Sequence, residues 1–383
     1  MSQAFPQIPF NKPFIVGKEL YNIAQSVLNG HISGNGHYTR ACSEFLSNLV
    51  GGAPVIMTPS CTAALEMALL ILDIQPGDEV VLPSFTFVST ANAVVLRGGI
   101  PVFCDIREDT FNLDERLLDR CITTKTKAIM PVHYAGQNCD MEAVCGLAAE
   151  HGLSVVEDAA QGVGAYDRNR HLGSMGDMAC FSFHETKNIM CGEGGALVIN
   201  RAELQERAEI VQEKGTNRSQ FFRGQVDKYT WIEIGSSYLP SELQMAFLYA
   251  QLELLEDVTR KRGKAYLVYE NGLIDLERQG KLRRPIYLGH NRPNHHMYAV
   301  LCRSLAERSE LISFLKARNI HAVFHYVPLH NSPAGLKFGK TPHPLTVTED
   351  IADRLLRLPM YYEISEAEQN RVLEGMYDFY RDR

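Results

Sequence analysis

The chain has 383 residues, a formal net charge of −7, 45% hydrophobic residues and 22% charged residues. Its length suits a large domain with a smaller companion, at about 150 residues per domain, and the apolar fraction allows a sizeable core. The acidic balance argues against a nucleic-acid partner, the opening MSQAFPQIPFNKPF lacks the basic-then-apolar pattern of a signal peptide, and no apolar run nears the ~20 residues of a membrane span, so a cytoplasmic protein without a membrane partner is expected.

From about residue 54 to 200, short apolar runs alternate with helical patterns. Residues 54–58 read as a buried strand, 60–73 as a helix, 79–83 as a strand and 86–97 as a helix. Further strands are predicted at 100–105, 127–132, 153–157, 178–183 and 195–199. This alternation predicts an α/β domain with a mostly parallel central sheet covered by helices. From 241 to about 279, Leu243, Phe247, Leu254, Leu255 and Val258 recur near helical spacing. Glu253, Glu256, Arg260, Lys261 and Arg262 supply the polar face, which predicts one long connecting helix. A strand near 296–302, a helix near 305–318, a strand near 320–324 and a closing helix from about 365 complete a small C-terminal α+β domain. The expected division is 1–240 for the large domain and 241–383 for the connecting helix and small domain.

Nine cysteines form no CxxC pair. Reduced, mostly buried thiols are therefore expected, with neither a disulfide framework nor a metal site. His133 and His184 have no partner at metal-ligand spacing and read as structural or supporting residues.

Three segments carry chemistry. In Val155-Val156-Glu157-Asp158-Ala159-Ala160-Gln161 an apolar strand runs into an acidic pair. Ligands in parallel α/β sheets bind beyond the carboxyl ends of strands, so Asp158 is placed to face one, although a helix cap is the commoner use of such a residue. In Cys180-Phe181-Ser182-Phe183-His184-Glu185-Thr186-Lys187 a lysine follows a buried strand, and Gly192-Glu193-Gly194-Gly195 follows soon after. An amine kept neutral by its surroundings can bond an aldehyde, and glycines permit close backbone approach. Thr58-Pro59-Ser60-Cys61-Thr62-Ala63-Ala64 lies at a predicted helix start, where free N–H groups and the helix dipole favour a phosphate, or a plain Ser/Thr cap. Lysine, carboxylate and phosphate cradle together point to pyridoxal phosphate, whose ring acts as an electron sink when a carboxylate keeps its nitrogen protonated.

The strings SCTAAL, PSFTFVSTANAV, PVHYAG, VVEDAAQG, FSFHETKN and GEGGALV resemble the DegT/DnrJ/StrS-type sugar aminotransferases across nearly the whole chain. The resemblance implies fold type I, the aspartate aminotransferase-like architecture. It implies that Lys187 holds the cofactor aldehyde and moves protons, that Asp158 pairs with the ring nitrogen, and that Gln161 touches the ring or its phenolic oxygen. Thr62, Ala63 and Ser182 would bind the phosphate, and Phe87 would stack on the ring, unless it is a core phenylalanine. Ser237, in Gly235-Ser236-Ser237-Tyr238-Leu239, stands where many members carry an Asn that reaches the phosphate in the neighbouring subunit. Cys61 stands where Gly is common. Substrate-side candidates are Asn217, Arg218 and Arg223 in the polar segment 214–228, with His325, Tyr326 and His330; arginine suits a diphosphate because its fork donates two parallel hydrogen bonds.

The likeness, with GTNRSQFFRGQVDKYTW and FHYVPLH added, implies amination of a dTDP-4-keto-6-deoxyhexose at C4 with glutamate as donor. The expected product is dTDP-4-amino-4,6-dideoxygalactose for surface polysaccharides, made by a homodimer whose sites draw on both chains. A gluco-configured product, or the activity of another nucleotide-sugar aminotransferase, is the alternative. A sugar dehydratase on the same fold would carry histidine in place of Lys187, and a non-catalytic regulatory relative would bind without turnover.

Overall fold

The computed structural model of the chain describes residues 6–381 and 383. Helices α1 (Glu19–Leu28) and α2 (His37–Leu49) precede the alternating region. There the chain runs β1 (Val55–Thr58), α3 (Cys61–Ile71), β2 (Glu79–Pro83), α4 (Val88–Leu96), β3 (Ile100–Cys104), β4 (Thr126–Ile129), α5 (Met141–His151) and β5 (Ser154–Asp158). A small hairpin, β6 (Tyr166–Asp167) and β7 (Arg170–His171), leads to β8 (Met178–Ser182), β9 (Gly195–Ile199), α6 (Gln205–Gln212) and α7 (Arg218–Phe222). The main sheet has seven strands in the order β1-β9-β8-β5-β4-β2-β3. Every pairing is parallel except the two made by β9, so the sheet is mostly parallel, as the alternation predicts.

Side-chain alternation along β8 explains why both faces need cover. Met178 and Cys180 pack with Leu65, Ala68 and Leu69 of α3, while Ala179 and Phe181 pack with Cys42 and Leu46 of α2. Strands buried on both faces read as near-continuous apolar runs, which is why these were visible in the sequence.

After α8 (Glu242–Leu252) come α9 (Leu255–Gly272) and α10 (Ile274–Arg278). The single long helix expected over 241–279 is therefore three helices. Leu252, Leu255 and Val258 pack against the large sheet's outer cluster, whereas Ala265, Tyr266 and Tyr269 turn to a second cluster. The change of cluster falls within α9, whose first turns face one cluster and whose later turns face the other. Arg262, expected on a solvated face, is only 5% exposed. Its guanidinium donates to the carbonyls of His295 and His296 at 3.0 and 2.5 Å.

The second cluster surrounds a two-stranded antiparallel sheet, β11 (Tyr298–Leu301) with β12 (Leu355–Leu358), after the short β10 (Asn291–Arg292). Helices α11 (Leu305–Lys316) and α14 (Glu366–Tyr380) cover it, while α12 (Pro333–Phe338) and α13 (Thr346–Arg354) lie between β11 and β12 in the chain. The strand expected at 320–324 is not formed; Ile320 and Val323 make isolated bridges to Ile8 and Arg357. The N-terminal segment is thereby strapped to this smaller unit, since His321 donates its N–H to the Ile8 carbonyl and Met360 donates to Phe10.

Candidate active site

The strands that share one direction end on one edge of the sheet, and a cavity of about 510 Å³ opens there. Asp158 lies at the end of β5, Ser182 at the end of β8, and Thr86-Phe87 beyond β2; all line the cavity. Ser60, Cys61 and Thr62 bring the start of α3 to it, and Lys187 enters from the loop after β8.

Asp158 and Glu157 are neighbours on one strand and point to opposite faces. Glu157 is fully buried behind the site, where it accepts His133 Nε2–H at 2.8 Å and the N–H groups of Gly173, Met175 and Gly176 at 2.6–2.9 Å. Burial alone would raise its pKa, but these donors hold it below the ordinary carboxylate value. His133 Nδ1 accepts the Cys139 N–H at 3.1 Å, which directs the ring's proton on Nε2 at Glu157.

Asp158 is 4% exposed and faces the cavity. Thr90 Oγ1 donates to it at 2.7 Å and the Ala160 N–H at 3.1 Å. Burial still raises its pKa, so the carboxylate lacks a full counter-charge in the protein alone.

Lys187 is half-buried on the cavity wall, and protein atoms surround its amine closely enough that desolvation lowers its pKa. Cys61 and Asp158 oppose that shift, and Arg357 reinforces it. The neutral amine needed for attack on an aldehyde is thereby favoured.

At the start of α3, Ser60 Oγ caps the helix by accepting the Ala63 N–H at 3.1 Å. Ala63, expected at a phosphate, spends its N–H on that cap and does not line the cavity. The N–H groups of Cys61 and Thr62 have no acceptor among the described residues, and Thr62 Oγ1 meets Ser89 Oγ at 2.7 Å. Gly195 packs against this turn: a Cβ there would lie 2.3 Å from the Ser60 carbonyl carbon and 2.4 Å from the Cys61 nitrogen. That contact explains the last glycine of the GEGG turn.

Phe87 is 57% exposed, its ring on the cavity rather than in the core. Gln161 accepts the Ala135 N–H and donates to Tyr326 Oη at 3.0 Å. Tyr326 stacks on His325 with centroids 3.7 Å apart, and His325 Nδ1 accepts from Tyr134 Oη at 2.5 Å. Burial, then Arg357, pushes His325 well below the usual imidazole value, so both rings are neutral parts of the wall.

Other sequence candidates lie elsewhere. His330 is buried outside the cavity, bonded to Ser84 Oγ at 2.7 Å and Glu349 at 3.2 Å, where it ties the segment after Tyr326 to the end of β2. Asn217 accepts the Thr230 N–H at 2.8 Å and shapes its own loop. Arg223 pairs with Glu209 at 2.7 Å, Arg218 lies 3.7 Å from Glu213, and Ser237 is exposed; none lines this chain's cavity.

Sequence reasoning passed over Arg357, His296, Phe10 and Asn11, which do line it. Arg357 sits in Leu355-Leu356-Arg357-Leu358, and one cation in an apolar run was the available signal. Its guanidinium donates to the Phe324 carbonyl at 3.1 Å and lies over the Phe10 ring. Among the described residues no carboxylate pairs with it, and burial lowers its pKa.

A family model described as the DegT/DnrJ/EryC1/StrS aminotransferase family matches residues 15–377. The spore coat polysaccharide biosynthesis protein SpsC of Bacillus subtilis is 33% identical over 379 residues, covering 97% of this chain and 96% of that protein. The solved structure of DesV from S. venezuelae, in complex with a ketimine intermediate, is 31% identical with a TM-score of 0.89, over 99% of this chain and 100% of that one. A DegT DnrJ EryC1 StrS aminotransferase from Brucella abortus is 30% identical with a TM-score of 0.86, over 94% and 95% of the two chains.

Proposed function

The chain belongs to the DegT/DnrJ/EryC1/StrS aminotransferase family, whose members are pyridoxal-phosphate enzymes of fold type I, and from that premise we propose that it aminates a nucleotide-linked keto sugar. Glutamate donates the amine and leaves as 2-oxoglutarate. The acceptor is a dTDP-4-keto-6-deoxyhexose, aminated at C4 to give the galacto-configured dTDP-4-amino-4,6-dideoxyhexose. Surface-polysaccharide synthesis is the role that the name of the B. subtilis relative supports.

The observation that carries the reading is the convergence of a desolvated Lys187 amine and an under-neutralised, buried Asp158 carboxylate in one cavity. These residues suit the cofactor. The free N–H groups at the start of α3, with Thr62 and Ser182 beside them, suit its phosphate. When bound, the cofactor supplies an electron sink for charge at the carbon being aminated or deaminated. Asp158 would keep the ring nitrogen protonated, and the Thr90 hydroxyl orients that carboxylate. Phe87 would hold the ring from one face, and Gln161, fixed by Ala135 and Tyr326, would contact its edge. Lys187 would carry protons to and from the reacting carbon. Arg357, without a carboxylate partner among the described residues, would hold the donor's carboxylate through a charge-assisted pair.

His325 and Tyr326 would line the sugar's approach. The segment 214–237 would complete the site of a second copy, bringing Asn217, Arg218, Arg223 and Ser237. Support comes from the exposed apolar side chains concentrated on that segment, Phe222, Tyr229, Trp231, Ile232 and Ile234. Apolar surface of this kind marks contact with another protein surface.

The test is a panel of nucleotide-linked keto sugars incubated with enzyme and glutamate, scored by 2-oxoglutarate formation and product configuration by NMR. A galacto product from a dTDP-4-keto sugar is expected, and a gluco product would correct the stereochemistry. No 2-oxoglutarate with any 4-keto sugar would remove the proposal, as would a Lys187→Ala variant that turned over at the wild-type rate.

A further inference from the structure

Away from the active site, the end of β3 brings together three groups that the linear sequence keeps apart. Cys104, Cys121 and His343 place their two Sγ atoms and one ring nitrogen within 4.8 Å of one another. Cys121 Sγ lies 3.6 Å from His343 Nε2. A tetrahedral zinc, with Zn–S of about 2.3 Å and Zn–N of about 2.0 Å, holds its ligand atoms about 3.5–3.8 Å apart, so small side-chain adjustments suffice. Both cysteines are buried, and His343 is partly open to solvent.

The histidine is prepared for this use. His343 Nδ1 lies 3.1 Å from the Pro344 carbonyl, which can only accept, so the proton belongs on Nδ1 and the Nε2 lone pair faces the sulfurs. Metal-binding histidines are commonly oriented by such a bond from their other nitrogen.

We propose that Cys104, Cys121 and His343 form a zinc site, with solvent as the fourth ligand on the open side of His343. Two sulfurs and one imidazole suit Zn²⁺ better than hard cations. The metal would act as a staple. The segment carrying His343 already lies along β3, with the Phe103 N–H bonded to the Lys340 carbonyl at 2.8 Å, and Asp105 accepts the N–H groups of Val347 and Thr348 at the start of α13. Zinc would join β3, the turn before Cys121 and this segment at one point.

The experiment uses full-length holoenzyme stripped with a chelator and exchanged into Co²⁺ or Zn²⁺. One tight equivalent per chain is expected, with the intense red-region bands of tetrahedral, thiolate-ligated cobalt, clear of the cofactor's absorption. Cys121→Ser should abolish the bands, and His343→Ala, on a partly exposed loop, should weaken Zn²⁺ binding by more than the about 10- to 100-fold that loss of an orienting partner costs, while the protein still melts cooperatively. Zinc should raise the melting temperature of wild type by more than that of His343→Ala at the same concentration. No tight equivalent in wild type, unchanged binding in both variants, or isolation of Cys104 and Cys121 as a disulfide would each overturn the proposal.

Discussion

Asp158→Asn separates cofactor binding from folding. The carboxylate is buried, and its raised pKa means the folded state holds this proton more tightly than the unfolded chain. Between the unfolded and folded values, folded-state stability therefore falls as pH rises, and above that window the charged group is a net cost. Asparagine removes the charge and fits the same partners. Its carbonyl can accept the Ala160 N–H, and its amide can donate to Thr90 Oγ1, whose proton can turn to Thr86 Oγ1 at 2.9 Å. The cofactor-free variant should thus melt no lower than wild type at neutral pH. Cofactor affinity should respond oppositely. A hydrogen bond to a charged partner contributes about 1.5–3 kcal/mol, so the dissociation constant should rise about 10- to 150-fold. Equilibrium dialysis with pyridoxal phosphate and calorimetric melts of the stripped protein measure the two effects. Unchanged affinity would show that Asp158 does not face the ring nitrogen. A large fall in cofactor-free stability would show that its carboxylate is structural.

Gly195→Ala should weaken both stability, by about 1–3 kcal/mol as expected for overpacking, and the affinity for cofactor and for inorganic phosphate, because the new Cβ displaces the start of α3. Wild-type phosphate affinity in that variant would refute the phosphate assignment. Glu157→Gln should cost about 1.5–3 kcal/mol at neutral pH by chemical denaturation. Because the native carboxyl is held below its unfolded value, its stabilisation exists above that unfolded value and is lost as pH falls through the native one, so the gap between variant and wild type should close in acid. Arg357→Gln should raise KM for glutamate about 10- to 150-fold with a smaller change in KM for the sugar, measured in steady-state assays; equal effects on both would refute the donor-carboxylate role.

The large sheet was legible because its strands are buried on both faces and therefore read as apolar runs between helical patterns. Asp158, Lys187 and the start of α3 could be read from their places at or after such runs, whereas Gln161, Ser182, Thr62 and Phe87 came only from the resemblance to the family; all of them line the cavity. The smaller unit was harder to read. β12 follows α13 without a break and carries Arg357 among its leucines, so the residue that completes the cavity from that side gave only a faint signal. The break between α8 and α9 was hidden because Leu248 and Leu252 before it and Leu255 and Val258 after it pack in the same cluster, so the apolar spacing runs on across it. His330 is a histidine in a motif-like string, yet its ring is consumed by Ser84 and Glu349, contacts that only the folded chain reveals.

The strap at the start of the chain bears on how this protein should be handled. Phe10 and Asn11 wall the cavity while Ile8 and Phe10 are bonded to the smaller unit. Trimming the first dozen residues would therefore strip one side of the pocket and free two backbone pairings together. A purification tag with its cleavage scar belongs at the other terminus, and a kinetic study of a shortened clone would measure damage to the pocket along with the chemistry.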